Sequence, residues 1–179
     1  MIKALWVLFN LFIGCFFAYS QEWRIQHKED GLIVSSKTMP GTDLFAFKCE
    51  KRLSHSIASL AEALISDDPE IKKEFVMGLT KFDIWQRQRQ PHLQKFKTYT
   101  AFNIPFPFSD RDMVVDNRVV VDAIKKTVSI DSHSIEDERY PQEETIGVRF
   151  TIQYSKILLQ QIDDNHTTVT MEMLGSMNG

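Results

Sequence analysis

The residues able to do covalent or metal chemistry are few in this chain, and they are scattered. Its five histidines, His27, His55, His92, His133 and His166, contain no HExxH pair and no His-x3-His spacing, and no CxxC occurs. A metal would therefore lack ligands at familiar spacings. Seven glycines make no GxGxxG and no phosphate-cradling loop. Gly175-Ser176-Met177-Asn178-Gly179 sets its serine one position too early for a nucleophile elbow. Cys49 stands in a strand-like run with Phe45 and Phe47 and reads as a small core residue rather than a nucleophile. One acid/base pair remains: Asp131 and His133 are two apart, so a strand would place them on one face. Asn165-His166-Thr167 has the form of a glycosylation acceptor, which matters only in a eukaryotic secretory pathway.

Non-covalent chemistry is better represented. Met113, Val115, Val119 and Val121 alternate along one run, with Asn117 among them. Val148, Phe150, Ile152 and Tyr154 do so on a later run, and Val169, Met171 and Met173 on the last. Trp85, Phe96 and Phe102 are their expected neighbours. Apolar, deformable walls with one or two polar groups suit a lipid tail and its headgroup, and methionines adapt to its shape. A packed core has the same composition, so both roles stay open. If Asn117 faces inward, its amide needs a partner, either a ligand or a backbone group. Lys81, Arg87, Arg89, Lys95 and Lys97 fall on two adjacent strands. They form either a solvated outer face or a patch that meets an anionic membrane.

Strands must position most of these residues. Asp30-Gly31 is a hairpin turn between Trp23–His27 and Leu32-Ile33-Val34. Phe45, Phe47, Cys49 and Leu53 alternate with polar residues as a half-buried strand does. Ser54 or Ser56 caps a helix with apolar positions Ile57, Leu60, Ala61, Leu64 and Ile65, and a shorter helix runs from Pro69 to about Val76. Strands are expected near 81–89, 95–103, 113–122, 127–134, 146–154, 157–162 and 167–174, with a polar loop from Asp137 to Glu144. Strands, two helices, then a long meander is an α+β pattern, here a strongly bent antiparallel sheet. Two modest helices cannot cover its apolar face, so a further helix or a ligand is required.

At 179 residues, 43% hydrophobic and 25% charged, the chain is one domain able to bury a core without metal or disulfides. A net charge of −3 lacks the basic field of a nucleic-acid binder. Residues 1–20 have the signal-peptide form: Lys3, an apolar stretch from Ala4 to Tyr19, and small residues Ala18 and Ser20 before a cleavage point. The stretch is interrupted by Asn10 and is short for a membrane span. Gly14-Cys15 loosely matches a lipidation box, so a lipoprotein acylated on Cys15 is the alternative, as is a retained anchor. Cleavage near Ser20 removes Lys3 and takes the charge from −3 to −4. It leaves Cys49 unable to form an internal disulfide. The product is expected to be exported, to the periplasm or outside.

The run Pro105-Phe106-Pro107-Phe108-Ser109-Asp110-Arg111-Asp112-Met113-Val114 resembles the signature of the START (steroidogenic-acute-regulatory-related lipid-transfer) domain. There a proline- and aromatic-rich loop leads through Ser-x-Arg-Asp into a central strand. Asp30-Gly31-Leu32-Ile33-Val34, Phe47-Lys48-Cys49-Glu50, Asp67-Asp68-Pro69-Glu70, Ser132-His133 and Val148-Arg149 resemble other family segments in the same order. The resemblance runs from about Trp23 to Leu174. It implies the helix-grip fold, a curved sheet around a long C-terminal helix, and non-covalent binding or transfer of a lipid or sterol without a cofactor. It makes Asp110, Arg111 and Asp112 motif residues, the arginine fork tying the loop to the sheet through a carboxylate or meeting a headgroup. Trp85, Phe102, Met113, Val115, Asn117, Phe150, Tyr154 and Met171 become lipid-contact candidates. The sequence after Leu174 carries no such helix, so residues 21–179 are expected to be a START-like domain incomplete at its C-terminus, through truncation, degeneracy or cover by a partner. An enzyme of polyketide-cyclase type using His133 with Asp131, and a protein-interaction module, are the alternative functions.

Overall fold

The computed structural model describes residues 22–41 and 44–176, so the signal-peptide and lipidation readings on residues 1–20 lie outside the described residues. Strands β1 (Arg24–Glu29), β2 (Leu32–Thr38) and β3 (Phe45–Leu53) come first. Helices α1 (Ile57–Ile65) and α2 (Pro69–Phe75) follow. Then come β4 (Leu79–Gln90), β5 (Leu93–Phe102), β6 (Arg111–Asp122), β7 (Thr127–Ser134), β8 (Val148–Arg149), β9 (Thr151–Asp163) and β10 (His166–Ser176). The sheet order is β1-β2-β3-β10-β9-β7-β6-β5-β4, with β8 beside β6. The sheet is curved and unclosed, an α+β helix-grip arrangement with two small helices after β3.

Two expectations about the strands need correction. The antiparallel pattern has one exception: β8 pairs in parallel with the start of β6, Arg111 with Val148 and Asp112 with Arg149. The runs expected at 146–154 and 157–162 are divided elsewhere, because β9 is continuous from Thr151 to Asp163. Ser155 and Lys156 pair on both sides, with Met173 and Glu172 on β10 and with Ser132 and Asp131 on β7, so no turn can form there. The break falls at Phe150, whose N–H donates to the Asp112 carbonyl at 2.8 Å.

Helix α1 starts where a side chain can take up a free backbone donor. Ser56 Oγ accepts from Ser59 N–H at 3.2 Å. Its other end is held by two cations: Lys72 Nζ donates to the Ala63 and Leu64 carbonyls, and Arg87 Nη2 to that of Ile65. Asp68 caps α2 and Pro69 fills its first turn. The apolar stripe of α1, Ile57, Leu60, Ala61, Leu64 and Ile65, packs on Phe96, Val119, Val128, Ile130 and Leu159. This defines the inner face of the sheet. The α1 residues are only partly buried, and each contributes on the order of 1 kcal/mol, below the value for full burial.

A second inner cluster lies further along the same strands: Val115, Phe150 and Ile152, with Met113 and Met173. The outer face carries its own cluster of Trp85, Tyr99, Ala101 and Val114, covered by Ile135 and Tyr140 from the β7–β8 connection.

Candidate functional site

Residues opposed in register share a face, so the pairing traces rows across the sheet. Phe96, Asn117, Ser132, Ser155, Met173, Phe47 and Ser36 form one inner row from β5 to β2. The row crosses the inner face between the α1-covered cluster and the Met113–Met173 cluster. Among the described residues the part of this face near β3 and β10 has little over it. Phe45, Phe47 and Met171 are 51%, 47% and 37% exposed. Ala46, the polar-side residue of the β3 alternation, is instead the one fully buried. Cys49 is half-buried opposite Val34 and Met171. The arrangement is a largely apolar trough crossed by a row that carries Asn117, Ser132, Ser155 and Ser36.

Met113, Val115, Asn117, Phe150 and Met171 all belong to the inner face, and Phe102 lies at its edge opposite Arg111. Val121, at the far end of the same strand, is 39% exposed. Two candidates do not belong there. Trp85 sits in the outer cluster, opposite Lys97 and 5.3 Å from the Tyr140 ring. Alternation on β4 is broken just after it by a bulge before Gln88, with Gln86 at positive φ. Tyr154 pairs with Leu174 whereas Ile152 pairs with Gly175, so two steps on β9 match one on β10. That bulge turns Tyr154 to the outer face, where burial and the Glu172 carboxylate raise its phenol pKa.

Asn117 does face inward and is 9% exposed, but its amide is already satisfied. Nδ2 donates to the Phe96 carbonyl, Thr98 Oγ1 and the Val115 carbonyl, while Oδ1 accepts from Ser132 Oγ at 2.8 Å. Its partners lie on the neighbouring strands β5 and β7 and on β6 itself.

The motif carboxylates and arginines are arranged differently from expectation. Asp112, fully buried on the outer face, pairs with Arg149: Nε donates to Oδ1 at 2.7 Å and Nη2 to Oδ2 at 3.3 Å. Tyr99 Oη and the Ile146 N–H also donate to Asp112. Arg111 ties its loop down through carbonyls, not a carboxylate: Nη1 donates to the Ser109 carbonyl at 2.6 Å and the Asp110 carbonyl at 3.3 Å. Asp110 accepts from the Ile104 N–H. The partnership of Arg149 with Asp112 spans 37 positions and has no local signal in the sequence.

The basic cluster is not one surface. Lys97 binds Asp137 at 2.7 Å and Lys81 lies over the Tyr99 and Tyr140 rings, both outside. Arg87 turns to α1 and Asp67 and lies over Phe96, because of the same β4 bulge. Asp131 and His133 share the outer face but are drawn to different neighbours. The register sets Asp131 beside Arg118 and Lys156, and the exposed His133 beside Asp116. No group of three or more metal-ligating side chains occurs among the described residues. A cavity of about 600 Å³ opens where β7 ends, between Val114, Phe150 and the 135–143 segment. Exposed Glu136, Glu138 and Glu143 line it together with Val114, Ile135, Tyr140 and Phe150, so its walls are mixed in character.

No family model and no curated protein matches the sequence. Solved structures do resemble the fold. The human StarD13 (DLC2) lipid transfer and protein localization domain superposes with a TM-score of 0.74 at 16% identity, covering 96% of this chain and 83% of that one. Human STARD10 gives 0.74 at 17% identity, over 96% of this chain and 67% of the other. The STAR-related lipid transfer protein from Xanthomonas axonopodis gives 0.69 at 18% identity, over 88% and 83%. At these identities the likeness is one of fold.

Proposed function

We propose that this protein binds one lipid or sterol non-covalently on the inner face of its sheet and carries it, without catalysing a reaction. The observation that carries the reading is the trough itself. Met113, Val115, Phe150, Ile152 and Met173 form an apolar wall beyond the reach of α1, and Phe45, Phe47 and Met171 continue it half-exposed. Val115, Phe150 and Ile152 are already buried, so it is the half-exposed continuation at Phe45, Phe47 and Met171 that calls for cover. Each ligand methylene placed there contributes about 0.8 kcal/mol. The shared fold of proteins whose names include lipid transfer supports the same reading. A non-catalytic role is supported by the saturation of Asn117 and by the exposed, outward position of His133.

The test is mass spectrometry of small molecules extracted from the protein purified from its native host. One lipid class at near-stoichiometric amount is expected. A protein that is repeatedly empty, and takes up no lipid from mixed vesicles, overturns the reading.

We further propose export, on the pattern of residues 1–20. N-terminal sequencing of the protein from its host is expected to begin at Gln21. An intact Met1 in a cytosolic fraction counts against export.

A further inference from the structure

We infer that Arg111 and Thr100 form a receptor for an oxyanion headgroup, a carboxylate or a phosphate ester, at the loop end of the inner face. The inference rests on the lipid-binding reading and names the class of lipid.

Arg111 is the first residue of β6 and is only 4% exposed. By register it stands opposite Phe102, on the face that carries Met113 and Val115. Its Nη1 donates to the Ser109 and Asp110 carbonyls, but its buried Nε has no acceptor. Among the described residues no carboxylate pairs with it. The two flanking carboxylates are engaged elsewhere: Asp110 accepts from Ile104, and Asp112, on the opposite face, is held by Arg149 and Tyr99. A guanidinium keeps its charge under all ordinary conditions, so this is a buried cation without a counter-charge. Such a cation is strongly destabilising unless something pairs with it.

Thr100 supplies the second donor. It lies one row along on the adjacent strand, opposite Met113, and is 4% exposed. Its hydroxyl makes no hydrogen bond among the described residues. An arginine fork with a neighbouring hydroxyl matches the several lone pairs of a carboxylate or phosphate. The apolar wall begins at the next inner residue, Met113, and continues through Val115, Phe150 and Ile152. An acidic head at Arg111 would thus leave its chain lying along the trough.

The experiment is calorimetric titration of the full chain with palmitate, hexadecyl phosphate, methyl palmitate and inorganic phosphate. One or both charged lipids are expected to bind at least about 10-fold more tightly than the uncharged ester, as loss of a charge-assisted pair implies. Arg111→Gln is expected to bring the lipids to within about threefold of one another, and Thr100→Val to narrow the gap in part. Equal affinity of the wild type for acid and ester overturns the inference while leaving lipid binding in place. So does an undiminished preference for the acid in a folded Arg111→Gln protein. Inorganic phosphate binding as tightly as hexadecyl phosphate makes this a free-anion site and overturns the headgroup assignment. If none of the three lipids binds, the headgroup site fails, and lipid or sterol binding is then decided separately by the extraction and vesicle-uptake experiment. Should Arg111→Gln not fold, the comparison of acid and ester on the wild type still decides.

Discussion

At the residue scale, Asn117 and Asp112 show how neighbouring positions on one strand take unlike duties. Asn117 joins β5, β6 and β7 across the inner row through both ends of its amide. Asn117→Ala takes the acceptor from the half-buried Ser132 hydroxyl and a donor from the Phe96 carbonyl, and is expected to cost about 1–3 kcal/mol. A lowered urea midpoint at unchanged slope is the expected result; an unchanged midpoint would show that water replaces the amide without loss. Asp112 points the other way and fixes the β7–β8 connection through Arg149. The Ser-x-Arg-Asp motif was legible in the sequence, but its pairing was not. Residue type says that a buried carboxylate needs a cation; only the chain's path brings Arg149 there and leaves Arg111 to other partners.

At the element scale, the segment between β7 and β8 is clasped onto the outer face by aromatic and ionic contacts. Tyr140 stacks on Tyr99 at 4.0 Å between ring centroids, and its hydroxyl donates to Asp83. Lys97 holds Asp137, and Arg139 binds Asp83. The hydrogen bond from Lys97, reinforced by the Arg139 N–H, keeps the Asp137 carboxyl below the usual range. A depressed carboxyl stabilises the fold fully above its unfolded value, about pH 4. That contribution disappears as pH falls through the lower folded value. In a protein whose other tryptophans, Trp6 and Trp23, are replaced by Phe, Trp85 fluorescence should therefore report release of the clasp below about pH 4. Lys97→Met should move the transition upward, toward the ordinary carboxylate range. An identical midpoint in the two proteins would show that Asp137 does not control the clasp. Bulges belong to this scale as well. The β4 and β9 bulges turned Arg87 inward and Tyr154 outward, because one extra residue reverses the parity that alternation relies on.

At the scale of the whole molecule, one end of the sheet carries exposed apolar tips. Met77, Phe106 and Phe108 are 91%, 96% and 65% exposed. Their loops adjoin, since Asn103 N–H donates to the Gly78 carbonyl at 2.9 Å. Arg111 begins its strand at this same end. A carrier of the kind proposed above would have to exchange its ligand with a bilayer, and large apolar side chains held in the open suit insertion between headgroups. The double substitution Phe106→Ser, Phe108→Ser is expected to reduce co-sedimentation with phospholipid vesicles several-fold while leaving the thermal midpoint within a few degrees. Equal sedimentation of variant and wild type would show that Phe106 and Phe108 make no membrane contact.

The sequence by itself determined the element order, the Asp30-Gly31 hairpin, the capped α1 and the alternation that makes β6 inward-facing at Met113, Val115 and Asn117. These depend on local sterics, capping and period-two or helical patterning, which act over a few residues. Tertiary structure decided which apolar rows are covered, which carboxylate each arginine meets, and on which face Trp85 and Tyr154 fall. Those outcomes depend on strand register, on bulges, and on contacts between residues tens of positions apart. No short stretch of sequence encodes them, because burial and charge pairing are properties of the surroundings that folding assembles.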